Sequence, residues 1–336
     1  MQDDNLLLEM QDLKTYFYTG RGLVRAVDGV SFDIKRGHTL GVVGESGCGK
    51  SITSLSALRL LQKPGKIVGG KILYHWQKPD GNEEVIDITT LNPDSDLMRS
   101  IRGGQIAMIF QEPMTSLDPV YTVGNQIVEG INYHLKVSPA EARGMAIKML
   151  GRVNMPEPAR VFDSYPHQLS GGMRQRAMIA MALALRPSLL IADEPTTALD
   201  VTTEAQILEL LRELQEEFGM AIMYITHNLG VVAEMVEAAI VMYLGKVVER
   251  APVRELFYNP KHPYLVALLQ SIPKLGRKSQ ARLAAISGMV PSPFSVPSGC
   301  PFHPRCVKFM AGLCDVNEPP VVDLGSEHTV KCFLYQ

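Results

Sequence analysis

Apolar and polar positions alternate through "LLLEMQDLKTYFY" (6–18) and "LVRAVDGVSFDIKRG" (23–37), with Gly20, Gly22 and Gly37 as punctuation. Alternation of period two predicts short strands with one buried face. The pattern then tightens. "HTLGVVG" (38–44) is a compact apolar strand, followed by a glycine-rich turn and a helix-like segment, "KSITSLSALRLLQK". Strand, glycine loop and helix in that order open an α/β unit.

From about residue 85 to 165 the period changes to that of a helix. "SPAEARGMAIKMLGRV" (138–153) offers Ser138 as a cap, Pro139 in the first turn and Glu141 three residues after the cap. "YTVGNQIVEGINYHL" (121–135) carries similar spacing, so this span is predicted to be a helical insertion. The α/β pattern then resumes. Helix "GGMRQRAMIAMALAL" is followed by strand "LLIADE", helix "TTEAQILELLRELQEEFG", strand "MAIMYITH", helix "LGVVAEMVE" and strand-like "AAIVMYLGKVVER". Such alternation predicts a mostly parallel sheet covered on both faces. From about Asn259 the texture turns to proline, glycine and cysteine, the mark of a separate, loop-rich appendage.

Composition narrows the class. The chain has 336 residues, 46% of them apolar and 20% charged, enough for a sizeable core. A net charge of −2 and the lack of any basic stretch argue against a nucleic-acid partner. The first residues, "MQDDNLLLEMQDLK", lack the layout of a secretory signal. The best apolar run, "MIAMALAL" (178–185), is far short of the roughly 18 residues a membrane span needs. A soluble, cytoplasmic chain is therefore expected, and in a reducing compartment clustered cysteines favour metal ligation over disulfides.

Three motifs carry chemistry. "GESGCGKS" (44–51) fits a phosphate-binding P-loop. Gly44, Glu45, Ser46, Gly47, Cys48 and Gly49 would wrap a phosphate with backbone N–H groups, and Ile52 continues into the helix. Lys50 would reach the β- and γ-phosphates, and the hydroxyl of Ser51 would bind Mg²⁺. "LLIADEP" (189–195) is an apolar strand ending in two acids. Asp193 suits the Mg²⁺ shell, and Glu194 can align or deprotonate a water for in-line attack. "LSGGMRQR" (169–176) puts Ser170, Gly171 and Gly172 before a helix, a second phosphate-binding terminus in a chain that already has one.

That redundancy is explained by a family resemblance. "LSGGMRQR" resembles the signature of ATP-binding-cassette (ABC) ATPases, and "FQEP", "TALD" and "ITH" resemble the Q-loop, D-loop and switch histidine in the family's order. The resemblance implies an ABC-type P-loop ATPase in which two cassettes pack head to tail, the signature of one closing over the ATP of the other. Gln111 would sense Mg²⁺, Asp200 would communicate across the dimer, and His227 would contact the γ-phosphate. An aromatic before the P-loop would stack on adenine. Phe17 is the choice by its offset from the first strand, with Tyr16 and Tyr18 as rivals. The implied fold is α/β, with an N-terminal antiparallel β subdomain, the helical insertion and a small cysteine-rich, metal-binding C-terminal appendage. Residues 1–258 would form the nucleotide-binding domain and 259–336 the tail.

Longer stretches, among them "YPHQLSGGMRQRAMIAMALALRPSLLIADEPTTALDV" and "HPYLVALLQSIP", look like the ATP-binding subunits of bacterial dipeptide/oligopeptide permeases. That resemblance implies a second, homologous ATPase subunit, two transmembrane permease subunits and an extracytoplasmic peptide-binding protein. The chain itself would be peripheral on the cytoplasmic face of the membrane. Related subunits serve oligosaccharides or nickel, and a soluble non-transport ABC ATPase is the remaining alternative. One departure is Asn228 after the switch histidine, where an acid is frequent.

Four of the five cysteines, Cys300, Cys306, Cys314 and Cys332, fall in the last 37 residues, spaced C-x₅-C-x₇-C-x₁₇-C. Spacing alone leaves zinc and a [4Fe–4S] cluster open. The permease resemblance ("GCPFHPRC…C…C") implies the iron–sulfur cluster, and His303 reads as a loop residue.

Overall fold

The computed structural model describes residues 5–78, 81–111, 116–197, 199–271, 286 and 288–336. Its strands, in chain order, are β1 (Leu6–Thr19), β2 (Gly22–Lys35), β3 (Thr39–Val43), β4 (Gly65–Gln77), β5 (Glu83–Asp87) and β6 (Ile106–Ile109). They continue as β7 (Leu189–Asp193), β8 (Ala221–Thr226), β9 (Ala238–Tyr243), β10 (Lys246–Pro252), β11 (Val322–Asp323) and β12 (Thr329–Val330). The helices are α1 (Lys50–Ala57), α2 (Asp96–Ile101), α3 (Val123–His134), α4 (Pro139–Arg152) and α5 (Pro158–Phe162). After them come α6 (Gly171–Leu183), α7 (Val201–Phe218), α8 (Leu229–Met235), α9 (Val253–Tyr258) and α10 (Pro263–Gln270).

These elements fall into two compact units, one of residues 1–7, 34–38 and 90–224, the other of residues 8–33, 39–89 and 225–336. In the first, β6 and β7 pair in parallel from Ile106–Leu189 to Ile109–Ala192, and β8 is next to β7. All five residues of β7 are buried, as a strand covered on both faces requires. Helices α3, α4 and α5 occupy the later part of the span that reads as a helical insertion; its start contributes β5 and β6 instead. The expected cap of α4 is present: Glu141 N–H donates to Ser138 Oγ at 3.3 Å, and Ser138 N–H donates back to Glu141 Oε2 at 2.8 Å.

In the second unit β1 and β4 pair antiparallel, with a break in register between Gln11 and Thr15, and β5 extends the ladder beyond β4. This is the N-terminal antiparallel sheet that the family resemblance implies; the alternating pattern announced the strands β1 and β2. Beside it runs a ladder in the order β11-β12-β10-β9-β3. There β3 and β9 are parallel, while β9–β10, β10–β12 and β11–β12 are antiparallel, so the sheet is mixed. Strand β3 is buried at every position and delivers the chain to the P-loop.

Candidate functional site

The P-loop follows β3 within the second unit. Its glycines answer to tight surroundings. A Cβ on Gly44 would meet the carbonyl oxygen of Met242 at 2.3 Å, and Gly49, at φ +105°, would bring one to 2.2 Å from the carbonyl of Ala26. Gly49 is also the N-cap of α1. Lys50 is only 6% exposed, and its ammonium donates to the carbonyls of Gly44 (2.8 Å) and Glu45 (3.3 Å). Cys48 is buried in the loop, its thiol pKa raised by burial. Glu45 N–H donates to the hydroxyl of Tyr264 at 2.9 Å. Sequence reasoning missed Tyr264 and Arg305, which bind this loop from more than 200 residues away; no local pattern announces such contacts.

Two acids end β7 in the first unit. Asp193 is buried at the strand terminus. Glu194 has φ +48°, in the left-handed region that costs a non-glycine residue about 1–3 kcal/mol. Gln111 Nε2 donates to Glu194 Oε2 at 3.1 Å, and Thr197 Oγ1 donates to the same oxygen at 3.1 Å. The structure thus joins the Q-loop glutamine to the second acid, and adds Thr197, which the sequence reading did not single out. Glu112 and Pro113 of "FQEP" and Ala198 of "TALD" lie outside the described residues. Gln111 and Asp193, both in this unit, carry hard oxygen donors of the kind Mg²⁺ takes.

In the same unit Ser170 caps α6, its Oγ accepting from Met173 N–H at 3.3 Å. Gly171 is exposed, and a Cβ on Gly172 would crowd Thr203 Cγ2 at 2.9 Å. Asp200 caps α7: its Oδ1 accepts from Thr203 N–H (3.0 Å) and its Oδ2 from Thr203 Oγ1 (2.7 Å). Those bonds favour the carboxylate and lower its pKa.

His227 belongs to the second unit and is exposed just after β8. Asn228, the departure from the family pattern, caps α8 by accepting from Gly230 N–H at 3.0 Å, a task an aspartate performs equally well. Of the three aromatics before the P-loop, Phe17 is half-buried against Gly65. The hydroxyl of Tyr16 donates to Asp28 Oδ1 at 2.7 Å, and Tyr18 is 55% exposed.

The tail cysteines converge. All five cysteines of the chain are free thiols, and Cys300, Cys306, Cys314 and Cys332 line one cavity of about 20 Å³ together with His262, His303 and Phe302. That volume suits about one water. Burial raises the pKa of Cys306 and Cys332 and pushes the Cys300 thiol up to about 11. Among the described residues, no three His, Cys, Asp or Glu side chains stand in an arrangement that would hold a metal ion. The coarser part of the expected appendage is present: four soft donors share one cavity in the tail. His303 hydrogen-bonds through Nδ1 to the carbonyl of Cys300 at 3.0 Å and stacks obliquely on Phe309.

Residues 27–197 match the ABC transporter family. The chain is also 50% identical, over 98% of its length and 95% of the relative's, to a probable peptide ABC transporter ATP-binding protein of Sinorhizobium fredii. This chain belongs to the ABC transporter family. Residues 248–314 of this ABC ATPase further match the oligopeptide/dipeptide transporter C-terminal region. The oligopeptide transport ATP-binding protein AppD of Bacillus subtilis is 49% identical, covering 98% of this chain and 97% of AppD. The dipeptide transport ATP-binding protein DppD of Escherichia coli is 44% identical, covering 97% and 96%. Among solved structures, the ATP-binding cassette MJ0796, a post-hydrolysis dimer bound to ADP and Pi, matches with a TM-score of 0.63 and 29% identity. That match covers 74% of this chain and 99% of the cassette.

Proposed function

We propose that this chain is the ATP-hydrolysing subunit that powers import of dipeptides and oligopeptides through a multisubunit ABC transporter. The observation that carries the reading is similarity across the full length, tail included, to ATP-binding proteins of peptide transport. Residues 1–258 act as the nucleotide-binding domain and 259–336 as the tail. The chain works on the cytoplasmic face of the membrane with a second homologous ATPase, two permease subunits and an extracytoplasmic peptide-binding protein.

In this mechanism the Gly44–Ser51 loop binds the phosphates of ATP, Lys50 neutralises β- and γ-phosphate charge, and an aromatic, Phe17, stacks on adenine. Ser51, Gln111 and Asp193 are the residues that would hold Mg²⁺, which would screen the developing phosphate charge. Ser170, Gly171 and Gly172 close over the nucleotide of the second ATPase, and Asp200 links the two sites. Glu194 orients the attacking water and accepts its proton, and His227 contacts the γ-phosphate. The bonds from Gln111 and Thr197 hold the Glu194 carboxylate in one orientation. The test is Glu194→Gln in the assembled transporter. Hydrolysis should fall by about 10²-fold or more, typical of losing a general base, while ATP stays bound in a closed dimer. Unchanged turnover would overturn the role given to Glu194.

The four tail cysteines are the proposed ligands of a [4Fe–4S] cluster, with zinc as the other metal their chemistry suits. The support is the shared cavity, the four free thiols and the family resemblance. Anaerobically purified protein should carry about four irons and four acid-labile sulfides per chain. Zinc alone would replace the cluster by a structural clamp, and metal-free protein would end the proposal.

A further inference from the structure

Glu45 is the first side chain of the P-loop after Gly44, and the nucleotide mechanism gives it no task of its own. In the structure it is held from the tail. Arg305 Nη1 donates to Glu45 Oε2 at 2.7 Å and Nη2 donates to Oε1 at 3.1 Å, a two-pronged pair that fixes both the position and the plane of the carboxylate. Arg305 is 7% exposed and belongs to the short turn His303–Arg305, directly before Cys306. Its guanidinium reaches the hydroxyl of Tyr243 at 3.4 Å and lies over the rings of Tyr243 and Phe302. Tyr243, Tyr264 and Phe302 pack together with ring centroids 4.7–5.3 Å apart, and the hydroxyl of Tyr264 accepts the Glu45 N–H. Glu45 is therefore held at its side chain by Arg305 and at its backbone by Tyr264, two members of one packed cluster. Its carbonyl, with that of Gly44, receives the Lys50 ammonium.

We propose that Arg305 is a positioning residue for nucleotide binding. From the cysteine-rich tail it fixes Glu45, and through Glu45 it sets the loop carbonyls that orient Lys50. The physical argument is preorganisation. A loop of small residues otherwise orders itself at the expense of binding free energy, and a pre-set loop does not. Arginine suits the task because its planar fork meets a carboxylate at two points, where lysine offers a single charge. The aromatic cluster buries the arginine side of the pair, while the Glu45 side chain keeps 26% of its surface exposed. The proposal rests on the reading of residues 44–51 as the ATP site, and it couples the tail to that site whatever the cysteines hold.

The test measures equilibrium Mg-ATP binding and the ATPase KM of the full chain in its complex, for Arg305→Gln, Arg305→Lys, Glu45→Gln, the double Arg305→Gln/Glu45→Gln and Lys50→Ala. Arg305→Gln should raise the Kd about tenfold, equivalent to about 1.4 kcal/mol. KM should rise by a similar factor with kcat little changed, as expected when ground-state and transition-state binding are lost equally. Glu45→Gln should act in the same direction, the double variant should be no worse than Arg305→Gln alone, and Arg305→Lys should recover only part of the loss. If Arg305→Gln fails to fold, Glu45→Gln decides: wild-type affinity there overturns the proposal. Wild-type affinity in a folded Arg305→Gln, or losses that multiply in the double variant, also overturn it. Lys50→Ala separates the two levels, because undiminished binding in that variant removes the ATP-site reading itself.

Discussion

Tyr16, Phe17 and Tyr18 alternate between the two faces of β1, and only one of them is tied down by its polar end. The phenol of Tyr16 is bonded to Asp28, which also lies 3.5 Å from the ammonium of Lys246. Burial, reinforced by the bond to Asp28, pushes the Tyr16 pKa up from 10 to about 12. A folded-state pKa above the unfolded value means that the protonated phenol favours the fold. Its contribution is whole below pH 10 and is lost as the pH rises to about 12. Urea titrations across that range should find that Tyr16→Phe removes part of the alkaline loss while costing about 1 kcal/mol near neutrality, a typical hydrogen-bond value. An unchanged alkaline decline in Tyr16→Phe would contradict this account.

At the scale of elements, what was legible in the sequence is what repeats locally. The alternation in β1 and β2, the unbroken apolar runs of β3, β7 and β8, and the Ser138–Glu141 box at the start of α4 are all short-range patterns. Strand β6 is not, because four residues, "IAMI", are too few to declare a period. The candidate site divides the same way. P-loop, signature and strand-end acids are contiguous motifs and could be read off. The bond from Gln111 to Glu194 spans 83 residues and that from Arg305 to Glu45 spans 260, so neither leaves a periodic trace. The cysteines illustrate the limit from the other side. Their clustering in sequence foretold a shared cavity, but whether thiols pack or ligate depends on side-chain geometry that spacing does not carry.

At the scale of the whole molecule, no helix among the described residues is long and apolar enough to cross a membrane. The proposed function assigns ATP hydrolysis to this chain and passage of the solute to the proposed permease subunits. The most direct measurement is peptide uptake into membrane vesicles carrying the assembled transporter, wild type against Lys50→Ala. Lys50 is the buried ammonium of the P-loop, 2.8 Å from the Gly44 carbonyl, and its removal takes away the charge that meets the phosphates. The account predicts that ATP-driven peptide uptake and peptide-stimulated hydrolysis both fall to background in Lys50→Ala. Uptake that continues at the wild-type rate would contradict it.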